Sequence, residues 1–406
     1  MKFSNLLVVY DWQRYSHGDL CVIDGLFSKE SKSKISVDCT GLMAYPGLIN
    51  AYDHLVDNWI PKAAAHRPYK NMREWLQDIQ NSVPVLERSK FWKGEDYTDL
   101  AKENALDLAQ LGVYKNIFLG AITVFDHVPL QKEAYYQSFP INVISRYTQI
   151  YPESLKDWWG VKETPAVVAE GVSKMPIIVY LADSSEGETA DIFDKTKELD
   201  LLKPNSIFVH CLDLKDEHFK RIAEAGASVI WTPNSNNFLF EKTMDIDSAL
   251  ANNVNVCIGT DSTLSGSINL LKEMLYIKKN LPAQLSYPQL FKMVTENSAR
   301  ALILGNYNGK IEEGKDANLL ITKKVSDDPY ENLCNIEPKD IQLLLYQGEP
   351  IYGKVEFLKY FSWDVKAFYL FNLGVDKVFI IGHPEEILAR IEKKLGYKKH
   401  FDYLPF

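Results

Sequence analysis

The sequence predicts an α/β fold: a parallel sheet wrapped by helices in the middle of the chain, with a small β domain built from both ends. Three observations carry this. From about residue 46, apolar runs rich in β-branched and aromatic residues alternate with amphipathic helical stretches, as in parallel sheets covered on both faces. Before residue 46 and after Gly305, the texture is short strands broken by turn residues. The chain has 406 residues, more than one hydrophobic core usually supports, which is roughly 250–300.

In chain order, Leu6–Tyr10, Leu20–Ile23 and Ile35–Val37 read as short strands around the turn Asp24-Gly25. The central strands are Gly47–Asp53, Ala121–Asp126, Ile141–Tyr147, Ile177–Leu181, Ser206–His210, Ser228–Trp231 and Val254–Thr260. Helical patterns fall at Asp99–Leu111, Thr189–Leu199, Asp216–Ala225, Met244–Ala251, Leu270–Lys279 and Tyr287–Leu304. Only seven central strands are visible, and the stretch from Tyr147 to Pro176 is where a further unit is hardest to see, compressed around Gln149–Ser154. Short strands return at Gly309–Ile311, Ala317–Ile321, Gln342–Leu345 and Ile351–Tyr352, and Glu385–Leu395 is an amphipathic helix. The domains expected are 1–45 with 310–375, 46–309, and a helical extension over 376–406.

Composition narrows the function. A net charge of -9 argues against nucleic acid as a partner, because that needs a basic surface. No apolar run approaches the ~18–20 residues of a spanning helix, so no membrane partner is expected. The cysteines Cys21, Cys39, Cys211, Cys257 and Cys334 form no CxxC pair, which fits reduced thiols and a cytoplasmic protein. A small-molecule substrate or ligand is the expected partner.

Eight ordered segments resemble the amidohydrolase superfamily, in particular its cytosine/guanine deaminase and triazine hydrolase branch. They are Pro46–His54, Arg73–Leu76, Gly120–His127, Ile207–Cys211, Trp231–Asn236, Ile258–Ser262, Val294–Arg300 and Gly309–Asn318. The resemblance spans about residues 35–325. It implies a distorted (β/α)8 TIM barrel with a small β-sandwich formed from both chain ends, and hydrolysis of non-peptide C–N bonds in a small heterocycle. Homodimers are common in that family, so a homodimer is one arrangement it leaves open.

The resemblance also implies a site. In that branch two histidines of a His-x-His pair, a strand-five histidine and a final aspartate hold a divalent metal, usually zinc, which lowers the pKa of a bound water. Here His54 and Asp261 stand at two ligand positions, and Tyr52 and Tyr180 occupy the other two. His210 stands where the family polarises substrate, and Asp183 takes the place of a proton-shuttling glutamate, with Glu186 or Glu188 as neighbours that could substitute. Asn234, Ser235 and Asn236 match a substrate-contacting loop, although all three residue types also favour turns. A phenol, with an ordinary pKa of about 10, is a poor substitute for imidazole on zinc. Three outcomes stay open: an altered divalent site, no metal and a pocket that binds a small ligand or partner protein, or a ferric ion on the oxygen-rich set.

The remaining histidines read as structural. His127 ends a strand at a position the family does not use for metal, which suggests a hydrogen-bonded structural role. His17, His66, His218, His383 and His400 sit in polar or surface contexts, and Cys211 reads as core. Trp158-Trp159 suggest packing or a pocket wall.

Overall fold

The computed structural model describes residues 1–30, 35–91, 99–128, 131–150, 175–181, 193–194, 196–197, 200–281 and 285–405. Asp183, Glu186, Glu188, Trp158 and Trp159 lie outside them, as does most of the helix expected over 189–199.

Two parallel sheets form the middle of the chain. In one, Leu48–Asp53 pairs with Ala121–Asp126, which pairs with Asn142–Ile144. In the other, Thr148–Ile150, Ile177–Leu181, Ser206–His210, Ser228–Trp231 and Asn255–Ile258 pair in chain order. Together these are the eight strands the fold class needs. The strand expected over 141–147 is confined to Asn142–Ile144, and Thr148–Ile150 supplies the missing eighth. Strands of three residues are too short to show alternation in a sequence, which explains why it was hard to see.

The outer edges of the two sheets meet directly. The N–H groups of Thr260 and Asp261 both donate to the Tyr52 carbonyl, at 2.9 and 3.0 Å. Glycine at 259 permits this approach, since a Cβ there would lie 2.5 Å from the Tyr52 Cβ. Strand side chains alternate between two cores. Ile49, Ala51, Ile178, Ile207, Val209 and Ile230 pack together on one side. Leu48, Val124, Ile177, Phe208 and Val229 face the helices on the other.

Both chain ends join a single ten-stranded sheet. Leu42–Pro46 pairs antiparallel with Leu319–Lys323, so N-terminal and C-terminal strands are neighbours. Leu319, Ile321, Leu343 and Leu345 share one core with Phe3 and Val8. Leu320 and Leu344 face the opposite way, into the large core that includes Phe118. The sheet continues past residue 375, because Asp376–Ile381 pairs with both Glu349–Lys354 and Phe368–Leu373. The expected boundary at 376 therefore falls within the hairpin of Phe368–Leu373 and Asp376–Ile381. Gly309–Ile311, expected as a strand, has no strand structure, and the Ile311 N–H donates to the Tyr10 carbonyl.

The helices differ from expectation at their ends. The first long one runs from Glu103 to Ile117, extending past Leu111 because its far end is buried. The stretch 287–304 divides into Tyr287–Met293 and Glu296–Ala301. Trp231–Asn236, expected as a loop, leads into a helix at Pro233–Phe240, with proline at its first position where a missing N–H costs nothing. Pro384–Leu395 lies on the Glu103–Ile117 helix through a two-pronged Arg390–Asp107 pair at 2.6 and 2.9 Å. No described helix is long and apolar enough to cross a membrane. All five cysteines are buried and unpaired, and Cys211 is core as expected.

Gly112 sets how closely the Glu103–Ile117 helix approaches the site. A Cβ at this position would lie 2.3 Å from the Leu55 carbonyl oxygen and 2.8 Å from its Cα. Alanine is the better helix former by about 1 kcal/mol, yet backbone atoms cannot move aside cheaply. Gly112→Ala is therefore expected to lower stability by about 1–3 kcal/mol in urea unfolding. An increase in stability would show that the helix is not pinned to this backbone.

Candidate functional site

The site is assembled at the C-terminal ends of the central strands, where loops leave the sheet and side chains converge. Tyr52 is on the first strand with His54 just after it, and His127 directly follows the second. Tyr180 is on the fifth, His210 ends the sixth, and Asp261 follows the eighth. All six line one pocket of about 800 Å³, open solvent included. Its roof is apolar: Met72, Trp75, Leu76 and Ile79 come from the helix Met72–Ile79, and Val85 from Val83–Arg88. Asn71 caps the first roof helix by accepting from the Glu74 N–H, and the Trp75 indole is fixed by a 2.8 Å bond to the Ala63 carbonyl.

Asp261 is held on all sides. Its Oδ2 accepts from the Ser235 hydroxyl at 2.7 Å, its Oδ1 accepts from the Ser262 N–H at 2.7 Å, and His54 Nε2 stands 3.3 Å from Oδ1. Burial pushes this carboxyl up, but His54, His210, Ser235 and Ser262 together hold it below the ordinary range, so it is a carboxylate. His210 Nδ1 lies 3.1 Å from both the Thr232 hydroxyl and the Asn236 amide. Burial lowers its pKa to about 4, so the imidazole is neutral at pH 7. His210 and Asp261 both adopt left-handed backbone, φ 70° and 57°, an uncommon conformation for residues with a Cβ and one that gathers at functional sites.

Several residues stand elsewhere than the sequence suggests. Ser235 and Asn236 are buried behind Asp261 and His210, and Asn234 accepts from Lys62; none of the three is among the described pocket-lining residues. His218 is buried, accepting from the Lys215 N–H at its helix start rather than lying on the surface. His127 is hydrogen-bonded as expected, yet it also lines the pocket. Its Nδ1 is 2.7 Å from the Tyr52 hydroxyl and 3.2 Å from His54 Nε2, and its ring stacks on Tyr180 at 4.2 Å. The available signal was its place at the end of a strand. Asp57, 3.9 Å from His54 Nδ1 and from Arg88, also lines the pocket. Burial raises its carboxyl, with Arg88 and His54 only partly opposing.

Residues 177–352 match the model of the amidohydrolase family. The chain belongs to the amidohydrolase superfamily. This amidohydrolase is 24% identical over 397 residues to a 5-methylthioadenosine/S-adenosylhomocysteine deaminase of Caldicellulosiruptor saccharolyticus, covering 82% of this chain and 88% of that protein. Its fold matches atrazine chlorohydrolase TrzN from Arthrobacter aurescens TC1, complexed with zinc, with a TM-score of 0.73 and 15% identity. That match covers 97% of this chain and 99% of the other. An adenosine deaminase from Xanthomonas campestris with bound zinc matches with a TM-score of 0.68 and 18% identity, covering 86% and 93%.

Whether such an ion suits this amidohydrolase depends on its donor atoms. Around tetrahedral zinc, with bonds of about 2.0–2.2 Å, ligand atoms stand roughly 3.3 Å apart. His54 Nε2 meets that spacing with Asp261 Oδ1 and with His127 Nδ1. A third ligand does not close the set. Among the described residues, no three of the pocket's imidazoles and carboxylates bring donor atoms within 4.8 Å of one another. The trio that does, His383, Glu385 and Glu386, is remote from the pocket. The Tyr52 hydroxyl, expected at one ligand position, is taken up by His127 and His54 at 2.7 and 3.2 Å. The residues present therefore do not fit a zinc ion, nor a ferric ion that would need the Tyr52 oxygen.

Proposed function

We propose that this amidohydrolase acts on a non-peptide C–N bond of a small nitrogen heterocycle, in the manner of a deaminase, with side chains carrying the proton transfers at an altered site. The observation behind this is the meeting of His54, His210 and Asp261 at strand ends beneath an apolar roof. The relatives named as deaminases support the substrate class. The reading includes a closed, distorted barrel and end strands folded as a β-sandwich.

In this reading the Asp261 carboxylate orients His54, and the pair takes a proton from an attacking water. His210, its Nδ1 side engaged by Thr232 and Asn236, directs its other nitrogen toward charge developing on the substrate. Asp57, whose carboxyl holds its proton more readily because of burial, returns one to the departing amine. The roof covers a flat ring and excludes water.

The test is ammonia release from adenosine, 5-methylthioadenosine and aminotriazines. Asp261→Asn and His210→Ala are each expected to lower kcat/KM by about 10²–10⁴-fold. Unchanged turnover in both variants would remove these residues from the chemistry. A second reading, a pocket that binds such a ligand without turnover, is favoured by the Tyr52–His127 bond that fills the pocket floor. Calorimetric binding of a panel member without ammonia release would establish it.

A further inference from the structure

We propose that the His127 imidazole stands in the place of a metal ion at the floor of this pocket, clamped there by Tyr52 and Tyr180, so that the protein works ion-free. This deepens the altered site assigned above, resting on the pocket but not on turnover.

The packing carries the argument. Three positions at the ends of strands one and five face the floor: Tyr52, His54 and Tyr180. Each of them contacts His127. Tyr52 makes the 2.7 Å hydrogen bond, with its ring 5.3 Å away and inclined by 35°. His54 Nε2 is 3.2 Å from the same nitrogen. Tyr180 stacks on the same ring, with centroids 4.2 Å apart and planes 21° from parallel. Tyr52, Tyr180 and His127 are 2%, 3% and 4% exposed, so the cluster is closed to bulk water.

The substitutions explain one another chemically. A phenol extends well beyond an imidazole at the same backbone position, so tyrosines on strands one and five reach inward and close the gap between those strands. An imidazole from strand two packs against both, presenting a flat face to Tyr180 and a hydrogen-bonding edge to the Tyr52 hydroxyl. A neutral ring can fill such a space without the desolvation cost of a dication. Burial, with His54 and His210 nearby, keeps His127 well below the ordinary histidine range and therefore uncharged. Stacking and the hydroxyl bond together fix its orientation. The three rings pack as one mutually contacting cluster.

The experiment is metal loading of the full chain, purified without chelator, equilibrated with zinc or cobalt(II) and desalted. Bound metal is read by mass spectrometry and by the visible absorption of tetrahedral cobalt. Wild type is expected to retain less than about 0.1 equivalent and to show no cobalt band. The triple variant Tyr52→His, Tyr180→His, His127→Ala is expected to take up about one equivalent and develop the band. Keeping His127 in the double variant Tyr52→His, Tyr180→His should weaken uptake at least about tenfold. About one equivalent of zinc in wild type, lowered by His127→Ala, would overturn the proposal by making His127 a ligand. A triple variant with a native circular dichroism spectrum that binds neither metal would overturn it as well. If the triple variant does not fold, His127→Gly decides: restoration of its melting temperature by added imidazole supports the proposal, and no response rejects it. None of these readouts depends on ammonia release, so failure of the proposed activity and failure of the ion-free floor remain distinguishable.

Discussion

Lys115→Met is expected to destabilise the fold by about 3–5 kcal/mol, a large share of the roughly 5–15 kcal/mol typical of a folded domain. Lys115 is fully buried on the Glu103–Ile117 helix, directly beneath the site. Its ammonium is 2.9 Å from Asp53 Oδ1 and 2.8 Å from Asn58 Oδ1, with longer contacts to the Thr260 hydroxyl and the Asp261 carbonyl. Asp53 in turn accepts from the His54 N–H and from the amides of Asn50, Asn58 and Asn116. Burial lowers the Lys115 pKa, and the Asp53 carboxylate opposes that. Methionine would fill the space but leave Asp53 as a buried charge without a cation. The double variant Asp53→Asn, Lys115→Met should recover much of the loss, because pair replacement avoids the orphaned charge. Urea unfolding measures both; a single variant within about 1 kcal/mol of wild type would show that the pair is not what holds this layer together. Because Lys115 touches the Asp261 carbonyl and Asp53 carries the His54 N–H, the same variant should also disturb the pocket floor.

Glu273→Gln is expected to stabilise the protein at pH 8 by on the order of 3 kcal/mol and to change little at pH 4. Glu273 is fully buried in the helix Leu270–Asn280, and its Oε1 accepts from the Asn234 N–H at 2.9 Å. Burial raises its pKa to about 7, opposed by Ser267, Asn234 and Lys62, while Asp261 adds to the rise. An unfolded glutamic acid titrates near 4.3, so between about 4.3 and 7 the folded state holds the extra proton. Stability therefore falls as pH rises through this window and levels off above it. Glutamine is neutral throughout and keeps the acceptor, so its curve lacks that fall. Equal pH dependence in both proteins, followed by thermal melting, would reject the assignment.

The alternation of apolar runs was enough to place most central strands, because strands buried on both faces must be apolar along their length. It failed at Thr148–Ile150, where three residues are too few to carry a pattern, and at Pro233–Phe240, where turn-forming residues open a helix. The ordered motifs gave the superfamily, and with it Tyr52, His54, Tyr180, His210 and Asp261 as pocket residues. Ser235 and Asn236 were legible as important but not as supports, since only packing shows that they stand behind Asp261 and His210. Lys115 was not legible at all, because a lysine in a helix reads as solvated unless the neighbouring layer is known.

The sequence by itself placed the fold class, through strand periodicity and eight motifs in order, and through the family resemblance it marked Tyr52 and Tyr180 as expected ligand positions. Only the tertiary structure showed what those tyrosines touch. Contact between strands one, two and five is long-range, so no local pattern could reveal that His127 packs against both Tyr52 and Tyr180, or that the pocket's donor atoms do not close around an ion.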